Sequence, residues 1–241
     1  MSDIGIKLIY WDRVLEAGFW ILVTLFFYYL ALRIQRALGG TPLANPVLLA
    51  SAPIIGLLWG ADIWVGDYQQ GGQALIWLLG PATVGLAVPL YRNFARVRPA
   101  LLPMAASLVA GSAVAVLSAV LIGDAMGASV ETIRSLAPKS VTTPIAMGIA
   151  DAIGGFPSLA AAFVIITGII GAVFGAFVFN AMGIRDARAR GFAMGIAAHG
   201  IGTARAFQED EVAGTFSGVA MALNGIVTAL VLPLLWLAFA G

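Results

Sequence analysis

The sequence is poor in the residues that carry most enzyme chemistry. It contains no cysteine and a single histidine among its 241 residues. The absence of cysteine excludes disulfides, thiolate metal sites and cysteine nucleophiles, and one histidine cannot build a multi-histidine metal site. A Walker-type phosphate-binding loop is also absent from the sequence. We therefore expect a protein that is not an enzyme and that has no metal or other cofactor.

Charged residues are also scarce, and their scarcity indicates that the protein is surrounded by lipid and not by water. Charged residues make up 10% of the chain and hydrophobic residues 61%, and the mean hydropathy is +0.97, whereas a soluble domain carries about 25% charged residues. A net charge of +1 gives no footprint for nucleic acid. The composition predicts an all-α integral membrane protein, a single membrane domain over residues 1–241 with the lipid bilayer as its surroundings.

Apolar runs divide this domain into about seven or eight segments, since several windows approach the roughly 20 residues that a helix needs to cross the hydrocarbon. The N-terminal residues lack the basic region, short apolar core and small-residue cleavage site of a signal peptide. We therefore expect the first segment to be retained. The approximate bounds of the segments are 14–32, 46–65, 73–91, 100–122, 132–153, 159–184, 191–207 and 216–239.

The distribution of arginine predicts how these segments cross the membrane. Arginines follow the first, third and sixth runs, and positive residues in short loops favour the cytoplasmic side. The pattern predicts an N-terminus outside and a C-terminus inside, and we expect the protein to lie in the cell inner membrane. If 132–153 crossed once, the arginines at 185–190 would fall outside, so we expect 131–157 to be a broken or re-entrant helix. Such backbone requires protein or a water-filled cavity around it.

A weak internal repeat also indicates broken helices. The frame Leu-x-Pro-x-hydroxyl-Val occurs at 79–84 and again at 136–141, and matching breaks in two halves of a membrane protein indicate a transport site near the midplane. Chance is the alternative, because proline and glycine are frequent in membrane helices. The residues expected to act as breaks or hinges are Pro81, Thr83, Pro138, Gly154, Gly155 and Pro157.

The broken segment contains a lysine between two prolines. Pro138 and Pro144 each remove a backbone donor and disfavour regular helix, and a helix that restarts near Pro144 would direct the positive end of its dipole toward Lys139. This combination predicts an anion site for a small carboxylate. The alternative is that Lys139 reaches the headgroups from a segment end. Hydroxyls that would assist binding are those of Ser140, Thr142 and Thr143.

The single histidine lies in a glycine-rich segment. At helical spacing Gly191, Gly195 and His199 form one stripe that continues to Gly202 or Thr203, and small residues on a stripe allow another helix to approach closely. His199 and Thr203 are therefore candidate substrate contacts, and His199 is also a candidate proton acceptor. A histidine that only packs between helices is the alternative.

Two further polar residues are candidates for the site. Asn224 belongs to a polar stripe on the last apolar run with Ser217, Met221 and Thr228, and either substrate contact or interhelical hydrogen bonding explains it. Asp151 follows the broken segment and is a candidate for ion coupling, although a helix cap explains it equally well. Arg205 has Glu209 four residues on and could pair with it at the membrane surface.

Four motifs resemble those of the LrgB/CidB family. They occupy residues 138–147, 154–158, 197–205 and 78–84, and the resemblance covers about residues 41–241. It implies an antiholin-like or holin-like protein that modulates murein hydrolase export and autolysis with a small LrgA/CidA-like membrane partner. The plastid relative, in which both parts are fused, implies glycolate and glycerate transport, and bacterial pairs are linked to pyruvate uptake.

Two functions therefore stand beside each other. A carrier needs a few convergent polar groups at a broken helix, whereas a holin needs oligomerising spans that open large lesions. The sequence favours a secondary transporter of small monocarboxylates such as glycolate, glycerate, lactate or pyruvate, working by alternating access. The alternative is a holin-like or antiholin-like protein, and glycine-rich faces would allow self-association in either case.

Overall fold

The structure, a computed structural model, describes residues 3–41, 44–78, 81, 85 and 87–239, and helices occupy most of them while no strand occurs in these ranges. The all-α prediction is confirmed. The chain divides into two compact units, Met1–Gly85 and Leu86–Gly241, and the prediction of one membrane domain over 1–241 stays a prediction. Among the described residues, the helices of the first unit whose bounds are defined are α1 (Asp3–Ala37), α2 (Pro46–Gly60), α3 (Val65–Gly71) and α4 (Gln73–Trp77).

The second unit contains three long helices separated by shorter or broken ones. Its helices are α5 (Ala87–Arg92), α6 (Phe94–Val97), α7 (Leu101–Ala125), α8 (Val130–Leu136), α9 (Thr143–Ala152), α10 (Pro157–Ala181), α11 (Ala187–Glu209) and α12 (Glu211–Phe239), and a 3₁₀ turn, Arg98–Ala100, precedes α7.

In the described part of the chain, four helical stretches are long and apolar enough to cross a membrane, by length and composition: Val14–Ala37, Arg98–Ala125, Pro157–Ala181 and Glu211–Ala238. The prediction of a helical membrane bundle is confirmed. The other predicted segments are shorter or interrupted helices in the described part of the chain, among them the 15-residue apolar helix α2.

The first unit packs around one aromatic side chain of α1. Trp20 is buried with Ile54 and Leu58 of α2, and its ring meets that of Tyr68 edge to face at 5.5 Å between centroids. Pro81 is helical and exposed. Thr83 and most of the first copy of the predicted repeat, at 79, 80 and 82–84, lie outside the described residues.

Residues 130–156, which we call the first hairpin, begin and end close together. The chain runs through α8, turns irregularly over 137–142 and comes back through α9. At the base of the hairpin, where its two ends meet, the Phe156 N–H donates to Ser135 Oγ at 2.7 Å. Gly155 has no room for a side chain there, because a Cβ would lie 2.9 Å from the Ser135 nitrogen. The prediction of a broken helix is confirmed, and the meeting of its ends is what a re-entrant element requires.

Residues 187–209, which we call the second hairpin, reverse in the same way. The backbone of α11 is non-helical at Ala198 (φ −129°, ψ 15°) and His199 (φ 39°, ψ −132°). A Cβ on Gly202, after this break, would lie 2.9 Å from Cγ of Met194, before it. The two limbs of the hairpin, before and after the break, therefore lie against each other. The prediction of one regular helical stripe through His199 is therefore wrong. The positive φ at His199, a conformation that non-glycine residues seldom adopt, redirects the chain.

Both hairpins pack along α12. The limbs of the second hairpin meet the start of this helix, where a Cβ on Gly191 would collide with the Ala213 carbonyl and a Cβ on Gly214 with the Phe207 ring. The predicted role of Gly191 and Gly195 in close packing is confirmed, since Gly195 presses equally closely on the Ser217 carbonyl. The first hairpin packs further along, with its apolar core extending to Leu232.

Candidate functional site

The tip of the first hairpin is irregular where the prolines predicted a break. The Lys139 N–H bonds to the Leu136 carbonyl at 3.0 Å and the Val141 N–H to the Pro138 carbonyl at 3.2 Å, so the backbone makes two tight turns instead of continuing α8. Thr142 then has extended dihedrals as the residue before α9, and Pro144 lies in the first turn, a position that proline favours. The predicted restart of helix near Pro144 is confirmed.

Asn224 of α12 joins the tips of both hairpins. Its Nδ2 donates to the carbonyl of Ser140 at 3.2 Å and to that of Ile196 at 3.3 Å. Its Oδ1 accepts from Ser112 Oγ of α7 at 2.6 Å. The side chain is fully buried, so these bonds replace all contact with solvent. Interhelical hydrogen bonding, one of the two sequence-based interpretations of Asn224, accounts for its donors and its acceptor.

His199 attaches the tip of the second hairpin to α10. Its Nε2 lies 2.8 Å from the Val164 carbonyl oxygen, and because a carbonyl only accepts, this bond requires the tautomer with the proton on Nε2. The ring fits against Gly168, where a Cβ would lie 2.7 Å from His199 Cε1. Thr203 donates to the His199 carbonyl at 2.8 Å and shares a 2.9 Å bond with Ser217. These contacts position the tip.

A cavity of about 750 Å³ lies between α7, α10 and the first limb of the second hairpin, and Lys139 from the tip of the first hairpin lines it. Its walls are largely apolar, from residues such as Met104, Ile170 and Phe192. Two hydroxyls that the sequence analysis missed, those of Ser107 and Thr167, also line it. Isolated hydroxyl residues within the apolar helices α7 and α10 are the signal that could have identified them.

The predicted site residues separate into three groups. Lys139 is partly buried and lines the cavity, whereas Ser140, His199, Thr203 and Asn224 are buried outside its lining. Ser140 Oγ, in a residue only 2% exposed, has no hydrogen-bond partner among the described residues. The remaining predicted contacts lie at the start of α9, half-buried at Thr142 and Thr143 and exposed at Pro144.

The hinge and coupling candidates lie at the base of the first hairpin. Gly154 takes a φ of +77°, Gly155 presses on Ser135, and Pro157 begins α10. Asp151 is exposed in the last turn of α9, at the opposite end of that helix from the tip. Among the described residues no group of three or more histidine, aspartate or glutamate side chains lies close enough together to hold a metal ion.

An ion pair lies at the other end of the cavity. Asp186 caps α11 by accepting the Arg188 N–H at 2.8 Å, and the Arg188 guanidinium contacts the same carboxylate through Nη2 at 2.5 Å. Both residues line the cavity. The hydrogen bonds from Arg188 lower the pKa of Asp186 to about 2. The cavity therefore extends from an ion pair at the start of the second hairpin to the lysine at the tip of the first.

These features define a helical membrane protein in which two broken helices meet beside a largely apolar cavity with one lysine. The chain matches the LrgB-like family over residues 24–238 and belongs to that family. It is 39% identical over 191 residues to the uncharacterized protein YwbG of Bacillus subtilis (strain 168), covering 79% of this chain and 85% of that protein.

Two staphylococcal relatives carry a descriptive name. The chain is 33% identical over 231 residues to the holin-like protein CidB of Staphylococcus epidermidis (strain RP62A), covering 95% of this chain and 99% of that protein. It is 31% identical over 224 residues to the holin-like protein CidB of Staphylococcus aureus (strain Mu50), covering 93% and 97%. No solved structure matches the chain.

Proposed function

We propose that this LrgB-like membrane protein is a secondary carrier of small monocarboxylates, the class of glycolate, glycerate, lactate and pyruvate. The observation that carries the proposal is the position of Lys139, which lines an otherwise largely apolar cavity at the tip of a broken helix. A charged side chain within a membrane segment is costly and marks a functional site by default. The other cation of the lining, Arg188, is paired with Asp186. A small anion with one negative charge therefore matches Lys139.

The surroundings of Lys139 argue against the alternative of a lysine that reaches the headgroups. Its neighbours Pro138 and Ser140 are buried, at less than 2% and at 2% exposure, so the backbone that carries the lysine is inside the protein. A lysine that reaches the membrane surface needs a backbone near a segment end. The tip of the first hairpin instead meets α12 at Asn224, in the middle of that helix.

The cavity also supplies what a hydroxy acid or keto acid needs besides a cation. Ser107 and Thr167 line it with hydroxyls, which can donate to or accept from the oxygen at the second carbon of the substrate. The apolar walls would contact the short carbon chain. The cavity volume of about 750 Å³ lies in the range of small-molecule sites, ~300–1,000 Å³.

A holin-like function is the second candidate, and the names of the CidB relatives favour it. In that case the protein would act through oligomers that breach the membrane, and a small LrgA/CidA-like membrane protein would be its partner. We propose the same partner for the carrier, together with a location in the cytoplasmic membrane and an external N-terminus. A lesion-forming protein has no use for a single defined anion site, whereas a carrier depends on it.

Uptake into proteoliposomes tests the carrier. Purified protein, with and without an LrgA-like partner, is assayed for uptake of radiolabelled glycolate, lactate and pyruvate, and the vesicles also contain a large fluorescent dye. We expect saturable uptake of at least one acid without release of the dye. Dye release without saturable uptake under both conditions would overturn the carrier and support the holin-like function.

Variants of Lys139 connect uptake to the proposed site. Lys139→Ala should lower kcat/KM for uptake about 10- to 100-fold, because a hydrogen bond to a charged group contributes about 1.5–3 kcal/mol, and Lys139→Arg should retain part of the uptake. Arg134→Ala is the matched control, since this cation lies in α8 of the same hairpin and faces the Trp236 ring at 5.6 Å. Equal loss in both alanine variants would indicate damage to the hairpin instead of a lost ligand.

His199→Asn separates proton acceptance from positioning. Asparagine tolerates the positive φ of this residue better than most side chains but does not titrate near neutral pH. If His199 only positions the tip, uptake by the variant keeps the wild-type pH dependence. Loss of that dependence would assign proton coupling to His199.

A further inference from the structure

We propose that the two hairpins enter the membrane from opposite faces and that the cavity connects Lys139 with the face that carries the arginines. The topological part of this inference is independent of transport, and its consequence for substrate access rests on the proposed function. It follows from the order in which the two hairpins contact each of the three long helices of the second unit.

Along α12 the contacts run from the base of one hairpin to the base of the other. Ala213 meets Gly191 at the base of the second hairpin, and Asn224 bonds to both tips. Trp236, near the end of α12, faces Arg134 at the base of the first hairpin. At 1.5 Å per residue, Ala213 and Trp236 are roughly 35 Å apart along the helix, which is close to the ~30 Å of a hydrocarbon core.

The helix α10 shows the same order in the reverse direction. It begins at the base of the first hairpin, where the Phe156 N–H bonds to Ser135. The Val164 carbonyl then meets His199 at the tip of the second hairpin, and the Phe179 ring meets Arg190 near its base at 5.4 Å. The bases of the two hairpins therefore lie at opposite ends of α10, separated by the length of this helix.

Contacts along α7 show the same order of the two hairpins, independently of α10 and α12. Near its start Met104 packs with Phe192 of the second hairpin, and in its middle Ser112 bonds to Asn224. Near its end Gly123 faces Ile133 of the first hairpin, where a Cβ on the glycine would lie 3.2 Å from Ile133 Cγ1. Each hairpin is followed by one long helix, α10 or α12, so the second unit contains two hairpin-plus-helix elements of opposite orientation, an arrangement found in transporters with inverted repeats.

Charge assigns the two ends to the two sides of the membrane. The arginines at 92, 96 and 98 precede α7, and those at 185, 188 and 190 lie at the base of the second hairpin. Positive residues in such short connections favour the cytoplasm, so the second hairpin enters from inside and the first from outside. Because 187–209 is a hairpin and not a crossing, the same charge rule now assigns the end of α12 to the external side, which revises the internal C-terminus that the sequence predicted.

The cavity extends toward only one of these faces. Its lining includes Asp186 and Arg188 at the arginine-rich end and Lys139 at the tip of the first hairpin. On the far side of Lys139, the first hairpin packs its apolar core, which includes Val141, Ile149 and Leu232, all less than 8% exposed. The proposed anion site is thus connected with the cytoplasm, and access from outside requires the first hairpin to move relative to α7, α10 and α12.

Single-cysteine labelling tests the topology directly. Because the chain has no cysteine, each introduced cysteine is the only thiol that the reagent can label. Membrane-impermeant maleimide is applied to right-side-out and to inside-out vesicles that carry Met126→Cys, Ser158→Cys, Met182→Cys or Gln208→Cys, all exposed positions. We expect labelling from outside at 126 and 158, which flank the first hairpin. We expect labelling from inside at 182, which precedes the second hairpin, and at 208, which lies in its last turn.

Labelling of 182 and 208 from opposite sides would show that residues 187–209 cross the membrane and would overturn the proposal. Labelling of 126 and 158 from opposite sides would do the same for the first hairpin. Ala197→Cys, exposed in the cavity wall, tests access: a small anionic thiosulfonate should modify it faster from inside, and faster modification from outside would contradict the assigned opening. These outcomes are independent of uptake, so failure of the carrier model leaves the topology result intact.

Discussion

The side-chain amide of Asn224 in α12 bonds to the main-chain carbonyl of Ser140 at 3.2 Å, next to the lysine that lines the cavity. The same nitrogen reaches the Ile196 carbonyl in the turn that precedes the break at His199. One buried side chain thus satisfies backbone acceptors from two interrupted helices that are distant in sequence. This relationship fixes where the hairpin tips meet.

Replacing Asn224 should loosen both tips. Asn224→Leu keeps the approximate volume but leaves the carbonyls of Ser140 and Ile196 and the Ser112 hydroxyl without their partner. Because an unsatisfied buried polar group costs about 1–3 kcal/mol, we expect a lower unfolding temperature in detergent. Thr228→Val is the matched control, since it removes only a 3.4 Å bond to Asn224. Equal melting temperatures for wild type and Asn224→Leu would contradict the bridging role.

Gly191 should not tolerate a methyl group. A Cβ there would collide with the Ala213 carbonyl, and backbone cannot move aside as a flexible side chain can, so Gly191→Ala should destabilise the protein by about 1–3 kcal/mol. Gly148→Ala in α9 is the control, because nothing lies within 4 Å of its Cβ position and alanine is favoured over glycine in helices by up to about 1 kcal/mol. Thermal unfolding measures both, and the two variants should shift in opposite directions.

The base of the first hairpin should depend on one hydroxyl. Ser135 Oγ accepts from the Phe156 N–H at 2.7 Å and donates to the Glu131 carbonyl at 2.7 Å. Ser135→Ala leaves the Phe156 N–H unpaired, and we expect faster proteolysis near 153–158 together with a lower melting temperature. Ser118→Ala, which removes a longer 3.3 Å bond to the Ala115 carbonyl, should show neither effect. Unchanged proteolysis of Ser135→Ala would contradict the closing role of this bond.

The ion pair at the start of α11 should make the stability of the protein depend on pH at low pH only. Hydrogen bonds from Arg188 lower the pKa of Asp186 from 3.8 to about 2, so its stabilising contribution is present above pH 3.8 and is lost as the pH falls through about 2. Both side chains are about half exposed, and the effect is therefore small and weakened by salt. The melting temperatures of wild type and Asp186→Asn should converge between pH 4 and 2. A constant difference over that range would rule out the pair as its cause.

The first hairpin and the long helices follow from local properties of the sequence. Length and hydropathy define helices able to cross a membrane, because lipid offers the backbone no hydrogen-bond partners. Pro138 and Pro144 mark the break in the first hairpin because proline lacks an N–H and clashes with the preceding turn. The pairing of Arg205 with Glu209, at 3.0 Å, is also local, since it depends only on a four-residue spacing.

The second hairpin is a product of tertiary structure. No proline occurs between Ala187 and Glu209, and the apolar and small residues there are equally compatible with a straight helix. The reversal at His199 is held by the Val164 carbonyl and by packing of both limbs on α12, and these contacts join residues far apart in the chain. Composition and local motifs were enough to specify a helical membrane protein of the LrgB-like kind with a break around Lys139. The second break, which faces the first, depends on long-range packing, because hydrophobic periodicity encodes which residues avoid water and not which backbone groups meet.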